Sequence, residues 1–135
     1  MKSMRQIALA LLTGAALAAS APAALARAPA ATLEGTVTRV IDGDSLLLQA
    51  PGAPPVEIRL LGIDAPEGCQ PGGPQAREAL AEHVLDKAVT ARTQGRDHYG
   101  RTLATLTVDG LNVNQRMVAE GQAWSSRTKW NRGPF

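Results

Sequence analysis

The sequence predicts a small α+β domain: five short strands curling into a partly open barrel, with helices after the third and fifth strands. Three observations predict it. Apolar and polar residues alternate with period two in short runs, turn residues separate those runs, and apolar spacing lengthens to four residues after the third strand. The four aromatic residues of the 135-residue chain, Tyr99, Trp124, Trp130 and Phe135, all fall in its last third. Whatever core the barrel has must therefore be aliphatic.

The first strand runs from Leu33, with Val37, Arg39 and Ile41 alternating with Thr38 and Val40, and stops at Asp42-Gly43. Ser45 to Gln49 forms the second, ended by Pro51-Gly52 and Pro54-Pro55. In the third, Val56, Ile58 and Leu60 alternate with Glu57, Arg59 and Leu61. Three strands joined by turns make an antiparallel meander. Gly62 to Pro74 is rich in Gly and Pro and reads as a loop. Ala76, Leu80 and Val84 then recur at i, i+4 and i+8 behind Pro74, which predicts a helix ending near Asp86. Ala88 to Gln94 and Leu103 to Val108 are two more strands, separated by Gly95 to Arg101. Asn112 followed by Gln115 resembles a capping box, and the helix it opens stops at Gly121. The order β-β-β-α-β-β-α matches the five-stranded OB-fold.

Residues 1–26 stand apart from this domain. Lys2 and Arg5 precede an apolar stretch from Ile7 to Ala18, and Ala24-Leu25-Ala26 follows, the order of a signal peptide cleaved after Ala26. The stretch is too short for a bilayer, which needs roughly 20 apolar residues. Export to the periplasm or beyond is expected, with no membrane anchor. Residues 27–31 form a loose lead, 32–124 the domain, and 125–135 a basic, Trp-containing end with Arg127, Lys129 and Arg132. The chain holds 14 Lys and Arg against 12 Asp and Glu, but Lys2 and Arg5 leave with the leader. The remainder is balanced, so any affinity for a polyanion must come from local clusters. Cys69 is the lone cysteine, which excludes an intrachain disulfide and a zinc ribbon. We expect a partly covered loop thiol there, His83 on a helix surface, and Trp124 packed on the barrel.

Four carboxylates crowd two loops: Asp42 and Asp44 in Ile41-Asp42-Gly43-Asp44-Ser45, and Asp64 and Glu67 in Gly62-Ile63-Asp64-Ala65-Pro66-Glu67. Either segment alone is explained by a turn. Carboxylates converging from adjacent strands repel, and a hard divalent cation with oxygen ligands relieves that repulsion, which suits Ca²⁺. Arg59 lies on the strand face opposite Ile58 and Leu60, and Arg101 follows Asp97-His98-Tyr99-Gly100. Guanidinium groups suit phosphate oxygens bidentately. Together these are the minimum kit for metal-assisted phosphodiester hydrolysis. A cation polarises a phosphoryl oxygen, a Glu takes a proton from water, and two Arg neutralise developing charge.

The chain resembles the staphylococcal nuclease (thermonuclease) family. The resemblance rests on Val40-Ile41-Asp42-Gly43-Asp44-Ser45, Arg59-Leu60-Leu61-Gly62-Ile63-Asp64-Ala65-Pro66-Glu67 and Asp97-His98-Tyr99-Gly100-Arg101, and continues through Val108-Asp109-Gly110, Val113-Asn114 and Glu120-Gly121. It covers about Thr36 to Trp124. It implies that Asp44, Asp64 and the backbone carbonyl of Ala65 bind Ca²⁺, with Asp42 acting through water in the outer shell. Glu67 matches the general base, and Arg59 and Arg101 the pair gripping the scissile phosphate. Tyr99 matches a residue that hydrogen-bonds a terminal phosphate, and His98 sits where the type member has Lys. The implied activity is cleavage of DNA and RNA at the 5′ P–O bond, leaving 3′-phosphate and 5′-hydroxyl ends, by a monomer. Ala65 stands for a Thr of the type member, a small departure because only a carbonyl is needed. Family domains continue into a third helix, whereas this sequence stops at Phe135, so that helix is expected to be missing. Arg127 and Lys129 fall where the type member has two base-sandwiching tyrosines, and Trp130 is the candidate to stack on a base instead. The alternative expectation is a non-catalytic OB module that only binds nucleic acid, or a truncated and inactive nuclease.

Overall fold

A computed structural model describes residues 30–126. The signal peptide, Arg127, Lys129, Trp130 and Arg132 lie outside the described residues. The elements run β1 (Thr32–Asp42), β2 (Ser45–Gln49), β3 (Val56–Leu60), β4 (Ile63–Asp64), α1 (Gly73–Val84), β5 (Ala88–Arg96), β6 (Thr102–Val108), β7 (Leu111–Asn112), α2 (Val113–Ala119) and β8 (Trp124–Ser125). The five long strands and both helices are those the sequence predicts. The two-residue strands β4, β7 and β8 are additions.

Strands are ordered β3-β2-β1-β5-β6-β7, and a parallel pairing of β3 with β6, from Ile58↔Thr102 to Leu60↔Ala104, closes the sheet on itself. The other pairings in this sheet are antiparallel. This is the OB-fold barrel the sequence predicts. Closure satisfies the backbone donors that an open edge would leave bare.

In β1 the simple alternation fails. Register shifts between Val37 and Arg39 and between Val40 and Asp42 mark β-bulges. They turn both Val37 and Val40 inward while Thr38 and Arg39 stay exposed. A bulge inserts an extra residue and sharpens the bend, so β1 can curl from β5 onto β2.

The core is aliphatic, as expected: Leu46, Leu48, Ile58, Leu60 and Leu106 from the strands meet Leu80 and Val84 of α1 and Met117 of α2. Helix α1 buries Ala76, Leu80 and Val84 on one stripe and stops where Asp86, at φ 58°, turns left-handed and donates to the Val37 carbonyl. Helix α2 opens with Asn112 Oδ1 accepting from Gln115 N–H at 3.0 Å. Among the described residues, no helix is long and apolar enough to cross a membrane. Cys69 is exposed rather than partly covered, because nothing in the Gly-rich loop packs over it. His83 is half-buried, its Nε2 2.8 Å from Glu120 Oε2 at the end of α2.

Candidate functional site

Asp42 ends β1 and Asp44 sits in the tight turn before β2. A Cβ on Gly43 would lie 2.6 Å from that of Ala76 and 2.7 Å from that of Ala65. Only glycine lets the turn press against α1 and the Asp64 loop together. Asp42 Oδ1 accepts from Ser45 Oγ at 2.5 Å and from the Asp44 N–H at 3.3 Å. Asp44 Oδ2 accepts the Ala65 N–H at 2.8 Å, joining two loops far apart in sequence.

Arg59 projects from β3 between the acids. Its Nη2 lies 3.1 Å from Asp44 Oδ2 and 2.5 Å from Asp64 Oδ1. Nη1 donates to the carbonyls of Leu60 at 3.1 Å and Ile63 at 2.9 Å. The guanidinium is thus held by the backbone on one side and balances two carboxylates on the other. Asp64 turns its second oxygen, Oδ2, toward Ser126 Oγ at 2.7 Å.

Glu67 is exposed on the loop before α1. Its N–H donates to Gln70 Oε1 at 2.9 Å, and its carbonyl accepts the Gln70 N–H at 2.8 Å. A Cβ on Gly73 would overlap that same carbonyl, so the loop can fold back on the helix start only because Gly73 lacks one.

Arg101 closes the β5–β6 turn. Asp97 Oδ2 accepts from its Nε at 2.8 Å, while Oδ1 accepts the backbone N–H groups of Tyr99 and Arg101. The Arg101 guanidinium lies 5.3 Å from the centre of the Tyr99 ring, which also meets His98 at 3.9 Å.

The fold gathers Asp42, Asp44, Arg59, Asp64, Ala65, Glu67 and Arg101 around one cavity of about 350 Å³, with Gln70 and Trp124 completing its lining. Tyr99 and His98 stand on the turn beside Arg101 and do not line it. Trp124 does not pack on the barrel as expected: it is 54% exposed, because β8 pairs Trp124 with Asp64. Sequence reasoning also missed Gln70, Ser126 and the structural role of Asn114. Fully buried, Asn114 bonds the backbone of Leu61, Ala104 and Leu106 and so anchors the approach to Asp64. Asn114 was legible, since a polar residue beside Val113 and three before Met117 falls on the inward helix face. Ser126 left no signal.

Electrostatically the two ends of the site differ. The Asp44 carboxyl is pushed up to about 6, first by burial and further by Asp42, against the opposing pull of the Ala65 N–H and Arg59. At Asp97 burial also acts upward, but hydrogen bonds from Arg101 and Tyr99 outweigh it and hold the carboxyl below its usual range. Asp44, largely buried, and Asp42 and Asp64 set three carboxylates against the single guanidinium of Arg59, and such a set of hard oxygens fits a hard divalent cation. Among the described residues no three His, Cys, Asp or Glu side chains group closely enough to hold an ion by themselves. The Ala65 carbonyl and water would have to complete the coordination.

Similarity to known proteins extends over much of the chain. Residues 57–133 match the family described as Staphylococcal nuclease homologue. Protein ParB of Escherichia coli is 42% identical over 106 residues, which are 72% of this chain and 59% of that protein. An uncharacterized endonuclease of Haemophilus influenzae is 37% identical over 89 residues, covering 66% of this chain and 50% of its own length. Micrococcal nuclease of Shigella flexneri is 37% identical over 106 residues, 72% of this chain and 60% of that protein. The chain thus spans about half to three fifths of these relatives.

Proposed function

Because the chain belongs to the staphylococcal nuclease homologue family, we propose that it is an exported, monomeric, Ca²⁺-dependent endonuclease. It hydrolyses phosphodiester bonds of DNA and RNA and leaves 3′-phosphate and 5′-hydroxyl ends. The observation that carries this reading is the gathering of two Arg, Glu67 and the paired acids around one cavity. Relatives named endonuclease and micrococcal nuclease support it.

In this reading Asp44, Asp64 and the Ala65 carbonyl would hold the cation, with Asp42 supporting them from outside. When bound, the cation polarises a phosphoryl oxygen as a Lewis acid. The remaining work belongs to the chain's own residues. Glu67, on a loop pinned by Gln70 and Gly73, takes the proton of the attacking water. Arg59 and Arg101 set fixed positive charge against the phosphate oxygens as charge builds there. Each is oriented beforehand, Arg59 by the Leu60 and Ile63 carbonyls and Arg101 by Asp97. The water oxygen bonds to phosphorus as the P–O5′ bond breaks, and the departing 5′ oxygen takes a proton from solvent, which gives the stated ends. Tyr99, His98 and Trp130 serve the outer parts of the substrate. A module that only bound nucleic acid would need neither the acid pair nor Glu67.

Plasmid digestion by the purified chain tests the proposal. Cleavage with Ca²⁺ that stops on adding excess chelator is the expected result. A folded sample that leaves plasmid intact with Ca²⁺, or cuts it equally in chelator, overturns it.

A further inference from the structure

Gln70 lines the same cavity as Glu67, Arg59 and Arg101, and cation binding does not use it. Its N–H donates to the Glu67 carbonyl at 2.8 Å, which closes a turn over Glu67-Gly68-Cys69-Gln70. The Gly73 N–H donates in its turn to the Gln70 carbonyl at 2.9 Å, tying that turn to the start of α1. The ends of such a turn lie within about 7 Å of each other, so Glu67 and Gln70 leave the loop as neighbours. What the side-chain amide meets then fixes which way round it sits. Gln70 Oε1 accepts the Glu67 N–H at 2.9 Å. A backbone N–H can only donate, so the amide oxygen must face it and the nitrogen must turn away. Nε2 carries two N–H donors, and among the described residues no acceptor meets them. The amide that holds Glu67 through its oxygen thus keeps a neutral donor beside a carboxylate that only accepts.

That pair is complementary to one water molecule. Water attacking phosphorus must give up a proton, which an acceptor takes, and must keep a lone pair aimed at phosphorus, which a donor to its oxygen helps to fix. A second carboxylate in place of the amide would add only acceptors, and a guanidinium there would compete for Glu67. A glutamine that orients the attacking water is a known solution in phosphoryl transfer. We propose that Gln70 is a catalytic residue: its Nε2–H donates to the oxygen of the attacking water while Glu67 takes that water's proton. Gln70 itself exchanges no proton, so the bonds made and broken stay those of the hydrolysis described above. The proposal rests on the phosphodiester reading of the cavity, with Glu67 as its base.

Two variants separate this role from the mere holding of the loop. Gln70→Glu keeps an oxygen for the Glu67 N–H but loses the donors, and Gln70→Met, of similar length, loses both. Each is checked for folding by circular dichroism, and Gln70→Ala replaces the methionine variant should that one fold poorly. Steady-state cleavage of a short oligonucleotide with saturating Ca²⁺ gives kcat and KM, and fluorescence anisotropy of the labelled oligomer in chelator gives binding. Both variants should lower kcat roughly 10-fold, the worth of one hydrogen bond to the reacting water, with KM and binding little changed. A near-parent kcat in Gln70→Glu beside a slow Gln70→Met makes Gln70 a fastening for the loop alone and overturns the proposal. A slow Gln70→Glu beside a near-parent Gln70→Met is an effect of added charge and overturns it too. A loss confined to KM and binding puts the donor on the phosphate and has the same outcome. A cutting parent matched by both variants sinks the proposal alone, whereas a parent that binds the oligomer and cuts nothing sinks the hydrolase reading with it.

Discussion

Arg59 and Arg101 each meet an aspartate across the same cavity, but the two pairs are built differently. Asp97 and Arg101 are four residues apart in one turn, and three N–H donors wrap the Asp97 carboxylate. Asp44, Arg59 and Asp64 come from three segments and meet only because β2 pairs with β3 and the Ala65 loop folds under Gly43. The first carboxylate is covered by its own donors and held below its usual range. The second is covered by packing and pushed up to about 6. Low accessibility alone does not set a carboxylate's charge. What covers it does.

Exchanging each arginine for lysine probes the comparison most strongly. Arg59→Lys should lower kcat on plasmid roughly 100- to 1,000-fold, because an ammonium cannot span two acids and two carbonyls while facing phosphate. Near-normal rates would mean that Arg59 only ties the loops together. The alanine variants separate stability from chemistry. In chelator near pH 8, Arg59→Ala should lower unfolding free energy by about 3 kcal/mol, since it strands the buried Asp44 carboxylate. Urea midpoints for Arg101→Ala should hardly move, although turnover falls. Equal losses of stability would erase the distinction between the pairs.

The next test uses pH. The folded chain holds the Asp44 proton more tightly than the unfolded chain, so unfolding releases protons between the ordinary carboxylate range and about pH 6. This group's contribution therefore falls as pH rises through that window. Relative to Asp44→Asn, the parent chain in chelator should lose on the order of 2–3 kcal/mol between pH 4 and pH 7. Asp97 has the opposite sign: its contribution is present above the usual carboxylate pKa and lost as pH falls through its lowered one. Comparison with Asp97→Asn by urea unfolding in acid should show that loss. The smallest effect concerns Asp42. Calcium titration should show a milder loss of affinity for Asp42→Asn than for Asp44→Asn, and the reverse order would exchange their assignments.

What was legible in the sequence follows the same division between local and distant. Ala76, Leu80 and Val84 announce α1, and Val56, Ile58 and Leu60 announce β3, because each pattern repeats within one element. The Asp97–Arg101 turn is equally readable, since its partners are neighbours. The acidic segments were legible as chemistry and, through the family resemblance, as a single site. Their geometry was not, because Arg59 reaches Asp44 only through a strand register. Two residues are too few to show alternation, so β4 and β8 stayed invisible and Trp124 was expected on the barrel. The bulges that turn Val37 and Val40 inward break period two without any glycine or proline to signal them.

The fastening of Asp64 by Ser126 has a consequence for biosynthesis. On the ribosome, every acid and both guanidinium groups of the cavity emerge before the strand that completes their surroundings. A partly made chain would carry Asp64 without its hydroxyl anchor and without the indole beside it. Assembly of the pocket is thereby deferred until translation has passed residue 126.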